Sequence, residues 1–247
     1  MLNCIQPSWD APASVRAYMT TRYEGESTAP YHGFNVAHHV GDQAEAVEKN
    51  RQILMTQLQL PSAPRWLNQV HGVRVVDDHT FQPNIEADAC YSEQKGQVCA
   101  VMTADCLPIL ICNQAGTAVA AVHAGWRSLV AGVIENTISK FPDPPEELLV
   151  WFGAAISQAA FEVGQDVYEA FTQLNSDATQ AFSPSSTQQG KWQADLYLLA
   201  RQRLQNCGVS AIYGGEYCTY HEADRFYSYR REAITGRMVS LIFIQES

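Results

Sequence analysis

Val98-Cys99-Ala100-Val101-Met102-Thr103-Ala104-Asp105-Cys106-Leu107-Pro108-Ile109-Leu110 decides the fold class of this chain. Val98 to Met102 is a short apolar run without helical spacing, the pattern of a strand buried in a sheet. A second such run, Ala118 to Val122, follows. Between them Pro108 has no N–H to give to a ladder, which predicts a turn or shift of the chain near Cys106. Farther out, Val73 to Val76 reads as a strand and Met238 to Ile244 as a closing strand. Helices alternate with these strands. Asp42, with Glu45 three residues on, resembles a capping box opening a helix to about Leu60, its buried face carrying Ala44, Val47, Leu54 and Leu58. Ser128 is predicted to cap a helix with Leu129, Val130, Val133, Ile134, Thr137 and Ile138 as its core stripe. Asp195 starts another, carrying Leu196, Leu199, Ala200, Leu204 and Cys207 and ending at Gly208. Ser183 to Gly190 reads as an exposed loop. With no linker, repeat or low-complexity tract, the alternating strands and helices fit an α/β (α+β) chain of one domain or two closely merged lobes.

Composition narrows the partners. A chain of 247 residues with 46% hydrophobic content can bury a large core. A formal charge of -10 with no Lys/Arg-rich run argues against nucleic acid or an anionic membrane. No run approaches the roughly 18 apolar residues of a membrane span. The N-terminus shows neither a basic region nor an apolar core of a signal peptide, so a cytoplasmic location is expected. Seven cysteines at irregular spacing fit reduced thiols there. Cys4, Cys90, Cys99, Cys112 and Cys207 read as small hydrophobes, and His32, His79 and the His38-His39 pair as structural residues. Cys218 and His221 form too isolated a pair to define a second metal site. A monomer is expected.

Three stretches carry the chemistry: Gln69-Val70-His71-Gly72, Thr103-Ala104-Asp105-Cys106 and His123-Ala124-Gly125-Trp126-Arg127. His71, Cys106 and His123 make the two-imidazole, one-thiolate set with which zinc keeps a fourth position open. They lie 35 and 17 residues apart, so only the fold can assemble them. Cys106 and His123 each follow a buried strand, which would bring them out side by side at one sheet edge. Gly125 permits a tight strand-to-helix turn, and the N–H groups opening the helix after Arg127 could hold an anion. Asp105 is placed as an acceptor behind the ligands or as a general base. The same residues admit two other classes: a Cys106–His123 hydrolase pair, for example acting on a cell-wall precursor, or a non-catalytic protein using the metal structurally. Spacing alone does not choose among them.

The stretches WLNQVHGVRVV, VCAVMTADCLPIL, AAVHAGWRSLVAGVIENT, FEVG and FYSYRR…TGRMVSLI together resemble the YfiH family, also called laccase-domain or polyphenol-oxidase-like. The resemblance runs in order from about Thr21 to Ile244. It implies a single domain of mixed β-sheets flanked by helices, and a zinc site of His71, Cys106 and His123 with one ion per chain. It also implies a purine nucleoside enzyme, phosphorolysing adenosine, inosine, guanosine or methylthioadenosine and deaminating adenosine. Under that reading the catalytic set is Asp105, Cys106 and His71. Deamination would call on a metal-acidified water with Asp105 shuttling protons. Phosphorolysis needs a cationic clamp, for which Arg22, Arg127, Arg230 and Arg231 are the candidates. Arg22 and Asn35 lie in segments that resemble family segments near the site. Phe226, Tyr227 and Tyr229 are candidates to stack on a purine. Small molecules, nucleoside and phosphate, are thus the expected partners. Ser128 stands where the family usually has Gly, and Ala154, Ser157 and Gln158 where it usually has Pro, Gly and Pro.

The laccase label meets an arithmetic objection. A multicopper oxidase needs more histidines than the seven present, typically as His-x-His pairs, and this chain has no such pair. A His-His-Cys set could still take up one Cu2+ in vitro, because imidazole and thiolate favour Cu(II) over Zn(II).

Overall fold

The computed structural model describes residues 2–246. The chain opens with β1 (Cys4–Ile5) and β2 (Val15–Thr20), then α1 (Ala44–Gln57) and β3 (Val75–Val76). Four core strands follow: β4 (Ala89–Ser92), β5 (Cys99–Thr103), β6 (Leu107–Asn113) and β7 (Val119–Ala124). Next come α2 (Trp126–Ala131), α3 (Val133–Ile138) and β8 (Leu148–Phe152). A small excursion holds β9 (Glu162–Val163), α4 (Gln165–Thr172), β10 (Phe182–Pro184) and β11 (Trp192–Ala194). The chain closes with α5 (Leu196–Asn206), β12 (Ala211–Gly214) and β13 (Met238–Ile244).

These strands make a six-stranded sheet in the order β12-β8-β6-β7-β4-β3, a four-stranded sheet β1-β2-β13-β5, and a three-stranded ribbon β10-β11-β9. Both larger sheets are buried on two faces, which is why their strands are nearly continuous apolar runs. The period of two then decides which layer each side chain enters. In β7, Ala120, Val122 and Ala124 pack with Leu129, Ile134 and Leu199 of the helices α2, α3 and α5. Val119 and Ala121 face the other way and meet Cys99, Val101 and Ile242 of the four-stranded sheet. On the far side of that sheet, Ala100, Met102, Val239 and Leu241 pack on Leu54 of α1. The result is a four-layer sandwich: helices, six-stranded sheet, four-stranded sheet, helix. It is the mixed-sheet α+β architecture expected from the sequence. Among the described residues no helix is long and apolar enough to cross a membrane.

Several boundaries differ from expectation for physical reasons. The β13 and α5 predictions match the structure, with Asp195 accepting from the Leu198 N–H as N-cap and Gly208 left-handed at φ 95°. The first helix forms without the capping box: Gln43 is its N-cap, with no side-chain bond, and Ala44 is exposed. It stops at Gln57 because Gln59 turns left-handed (φ 49°) ahead of Pro61. The single helix predicted after Ser128 is two short ones, broken where Gly132 adopts φ 102°. Its N-cap is Gly125, and buried Ser128 instead donates to the carbonyls of His123 and Gly125. The strand predicted at Val73 shrinks to Val75–Val76.

Candidate metal centre and its cavity

The chain crosses from the four-stranded to the six-stranded sheet between β5 and β6, and Cys106 sits in that crossing. Asp105 makes the turn possible by taking φ 86°, a conformation L side chains rarely adopt. His123 lies within β7 opposite Pro108 of β6, with the parity of Val119 and Ala121, so it faces the seam between the two sheets. The sequence expectation of two ligands at one sheet edge is therefore corrected: they meet at the end of the inter-sheet seam. His71 arrives from the loop before β3, also left-handed at φ 59°. Three backbone N–H groups in that loop, of Val70, His71 and Gly72, donate to the Asp88 carboxylate at 3.3, 2.9 and 2.6 Å. They offset a left-handed non-glycine residue, which typically costs about 1–3 kcal/mol.

One donor atom from each of His71, Cys106 and His123 lies within 4.8 Å of the others. Cys106 Sγ is 3.8 Å from His71 Nε2, and the two imidazoles meet edge-on with centroids 4.8 Å apart. A tetrahedral zinc at about 2.0–2.3 Å from such donors sets them about 3.3–3.8 Å apart, a spacing that the Cys106–His71 pair already has, so the donor set fits the ion. His123 Nδ1 is 2.7 Å from Asp88 Oδ1, an arrangement that leaves Nε2 for a metal. His123 is buried, Cys106 half-buried and His71 exposed, which leaves the cluster open on one side. Gly125 is pressed against it: a Cβ there would come within 2.8 Å of His71 Cδ2 and 3.0 Å of Cys106 Sγ.

The electrostatics follow from this packing. Burial alone would push the Cys106 thiol up, but the His123 and His71 imidazoles hold it at about 6. Burial alone would lower His123, but the Cys106 thiolate and the Asp88 carboxylate raise it to about 9. Each charge thus favours the other: imidazolium at His123 holds the Cys106 thiol down, and thiolate at Cys106 holds His123 up.

The cluster opens on a cavity of about 490 Å³, within the usual size of small-molecule sites. Its walls include Arg127, Tyr229, Arg237, His39 and Gln69. Tyr229 is 58% exposed. Gln69 is held in place by its side-chain amide, which donates to the Met102 carbonyl and accepts from the Met102 N–H, both at 2.8 Å.

Of the residues predicted from sequence, the structure brings His71, Cys106, His123, Arg127 and Tyr229 to one cavity. The others sit elsewhere. Both Asp105 carboxylate oxygens accept hydrogen bonds, from Thr219 Oγ1 at 2.6 Å and from the Arg230 N–H at 2.7 Å. Asn35 is fully buried and accepts from the Ala37 and Arg237 N–H groups. The Arg22 guanidinium lies over the Tyr227 ring and donates to the Ala223 carbonyl. Arg230 donates to the Glu162 carbonyl at 2.9 Å, and Arg231 to the carbonyls of Thr219, Tyr220 and Phe226. These three arginines fasten the loops around the site instead of lining it. Phe226 and Tyr227 are fully buried in the seam core and cannot stack on a ligand. The N-terminal turn expected to hold an anion belongs to the six-residue helix α2, which starts at Trp126.

Sequence reasoning missed Asp88, Arg237 and His39. Asp88 carried a signal: it is a charged residue in Ile85-Glu86-Ala87-Asp88-Ala89-Cys90, where the chain becomes fully buried. Arg237 lay in the stretch TGRMVSLI without a pattern of its own.

A family model described as "Multi-copper polyphenol oxidoreductase laccase" matches residues 16–245. A protein of Escherichia coli K12 called purine nucleoside phosphorylase YfiH is 51% identical over 246 residues, covering 99% of this chain and 100% of that protein. A Haemophilus influenzae protein called purine nucleoside phosphorylase is 46% identical over 244 residues, covering 99% of this chain and 100% of its own length. The crystal structure of a Neisseria meningitidis protein superposes with a TM-score of 0.94 at 47% identity, covering 99% of this chain and 100% of that one.

Proposed function

The chain belongs to the multi-copper polyphenol oxidoreductase laccase family, the YfiH-type proteins, and from that premise we propose that it is a metal-dependent purine nucleoside phosphorylase. Its proposed substrates are adenosine, inosine, guanosine and methylthioadenosine, with deamination of adenosine as a second activity. One observation carries the reading: a three-donor cluster, open on one side, faces a cavity walled by guanidinium groups and an exposed tyrosine. The names of the relatives support it.

His71, Cys106 and His123 would hold one zinc per chain. That ion would supply Lewis acidity at a fourth, open position. The chain's own residues do the rest. Asp88 fixes the tautomer and orientation of His123. Tyr229 offers an aromatic face to a purine, and Arg127 a guanidinium to phosphate. In phosphorolysis a phosphate oxygen bonds to C1′ of the ribose while the C1′–N9 bond breaks, and the purine leaves with the electron pair and takes up a proton. Asp105 acts as a positioning residue, tying the Thr219–Arg230 segment to the Cys106 turn. Asn35, Arg22, Arg230 and Arg231 likewise position loops. We further read the chain as one domain over 1–247, monomeric and cytoplasmic, with small-molecule partners and neither nucleic acid nor membrane; copper would be an adventitious occupant.

The test is incubation of the zinc-loaded protein with adenosine, with and without phosphate. Adenine and ribose 1-phosphate should appear only with phosphate, and inosine in its absence. No turnover of any nucleoside would overturn the reading. A specific observation favours one alternative: Cys106, His123 and Asp88 form a connected thiolate–imidazolium–carboxylate series, the arrangement of a cysteine hydrolase. Full activity in metal-free protein, abolished by alkylating Cys106, would select it.

A further inference from the structure

The hydrogen bonds around β2 fix which way each of its backbone groups points. The Gln245 N–H donates to the Ser14 carbonyl, and the register continues with Arg16 opposite Phe243 and Tyr18 opposite Leu241. Even-numbered residues of β2 therefore bond to β13. The Thr21 N–H donates to the Asn3 carbonyl and Met19 pairs with Ile5, so odd-numbered residues turn toward β1. Two residues further, the same register would set Pro7 opposite Ala17. Proline has no N–H to give, and β1 ends at Ile5. The arm that follows is fastened elsewhere: Trp9 and Ala11 pack on the seam core, and Asp10 accepts from the Tyr213 hydroxyl at 2.7 Å. The Val15 N–H is used within this arm, donating to the Pro12 carbonyl at 2.8 Å. Ala17 alone within β2 keeps both its N–H and its C=O without a partner among the described residues.

Ala17 borders a cleft of about 190 Å³ between β2 and the arm, walled by Pro7, Trp9 and Pro12. A second cleft, of about 370 Å³, shares Arg16 and Tyr18 with the first and is lined by Leu58, Pro61 and Phe243. Tyr18 packs on the α1 side of the sheet, and Ala17 on the seam side. One cleft thus runs along the edge of β2 and the other over its outer face. An unpaired N–H and C=O in extended geometry are complementary to another extended backbone. In a strand added there, the residue opposite Ala17 would face the seam side, and its two neighbours the side of Arg16 and Tyr18. The larger cleft offers those neighbours an apolar seat. The narrow cleft admits one strand and not a whole sheet edge: a second copy of the chain would meet it arm against arm.

We propose that the free edge of β2 at Ala17 docks an extended peptide segment of a partner protein. The segment adds as a strand outside β2, exchanges backbone hydrogen bonds with Ala17, and sets an apolar side chain among Tyr18, Leu58 and Phe243. This site shares no lining residue with the cavity of the metal cluster.

A displayed library of random heptapeptides, selected on the wild-type protein, supplies the probe. The most enriched peptide is synthesised, its binding read by fluorescence anisotropy and amide hydrogen exchange read residue by residue by NMR. It should slow exchange at Ala17 about tenfold or more. N-methylation scanned along the peptide should weaken binding about tenfold or more at the residue that pairs with Ala17. Ala17→Pro removes an N–H that the fold does not use, and should weaken binding by a similar factor. Pro7→Val supplies the missing donor on β1. It should protect the Ala17 amide without peptide and abolish peptide binding, which keeps the test valid if Ala17→Pro fails to fold. Enrichment of no peptide, binding that survives N-methylation at every position, or unchanged affinity in both variants overturns the site. A wild-type dimer in sedimentation that becomes monomeric in Pro7→Val assigns the edge to a second copy and overturns the peptide as its occupant.

Discussion

Asp88 concentrates more of the site's order than any ligand does, because one carboxylate receives His123 and three N–H groups of the His71 loop. Asp88→Asn should therefore lower zinc affinity about 10–100-fold, measured by competition with a chelating dye, with a smaller effect on folding. His71→Ala, Cys106→Ala and His123→Ala should each abolish zinc binding and turnover in a protein whose circular dichroism is unchanged. Thiol chemistry gives a pH prediction. In metal-free protein the thiolate fraction of Cys106 rises as pH increases through about 6, whereas burial pushes Cys4 and Cys112 up to about 12. Iodoacetamide should then modify Cys106 selectively near neutral pH, at a rate that falls as pH drops below 6; mass spectrometry reads the site, and bound zinc should protect it. At this scale the ligands were legible because their residue types are chemically specific. Asp88 and Arg237 were not, since their roles depend on what folds against them.

At the scale of elements, legibility followed the strength of local signals. Asp195 caps α5 as its position before Leu196 implied, and Asp195→Ala should cost about 1 kcal/mol in urea unfolding. The first helix shows the opposite case. Asn50, a polar residue within α1, is fully buried, and its Nδ2 donates to Ser27 Oγ and to the carbonyls of Gly33 and Asn35. Its Oδ1 accepts from the Glu26 N–H. Nothing in the local pattern announced it, because its partners lie 15 to 24 residues away. Asn50→Ala should destabilise by roughly 2–4 kcal/mol, several groups being left buried without partners.

For the whole molecule, the alternating strands and helices predicted an α/β chain, but whether β5 and β6 share a sheet was not readable. A period of two fixes the faces of a strand and is silent on its neighbours. The answer matters because the cluster joins the β5–β6 crossing to β7 and the loop before β3. Zinc should accordingly stabilise the fold as a whole: at one hundred times its dissociation constant the gain is about 2.7 kcal/mol. Chelation should then lower the unfolding midpoint by several degrees in scanning calorimetry, at roughly 2–4 °C per kcal/mol.

The place of β13 between β2 and β5 has a consequence for biosynthesis. During translation β2 and β5 emerge well before the strand that joins them, Met238–Ile244. Until that segment clears the ribosome, both wait with unpaired backbone edges, a state open to mispairing and to chaperone capture. Ribosome-bound chains should stay protease-sensitive until Met238–Ile244 has emerged, and termination ahead of Met238 should yield aggregate instead of a smaller folded protein. Assembly of this fold is thus timed by its last strand, so cellular yield should respond to chaperone supply more than to changes in the metal ligands.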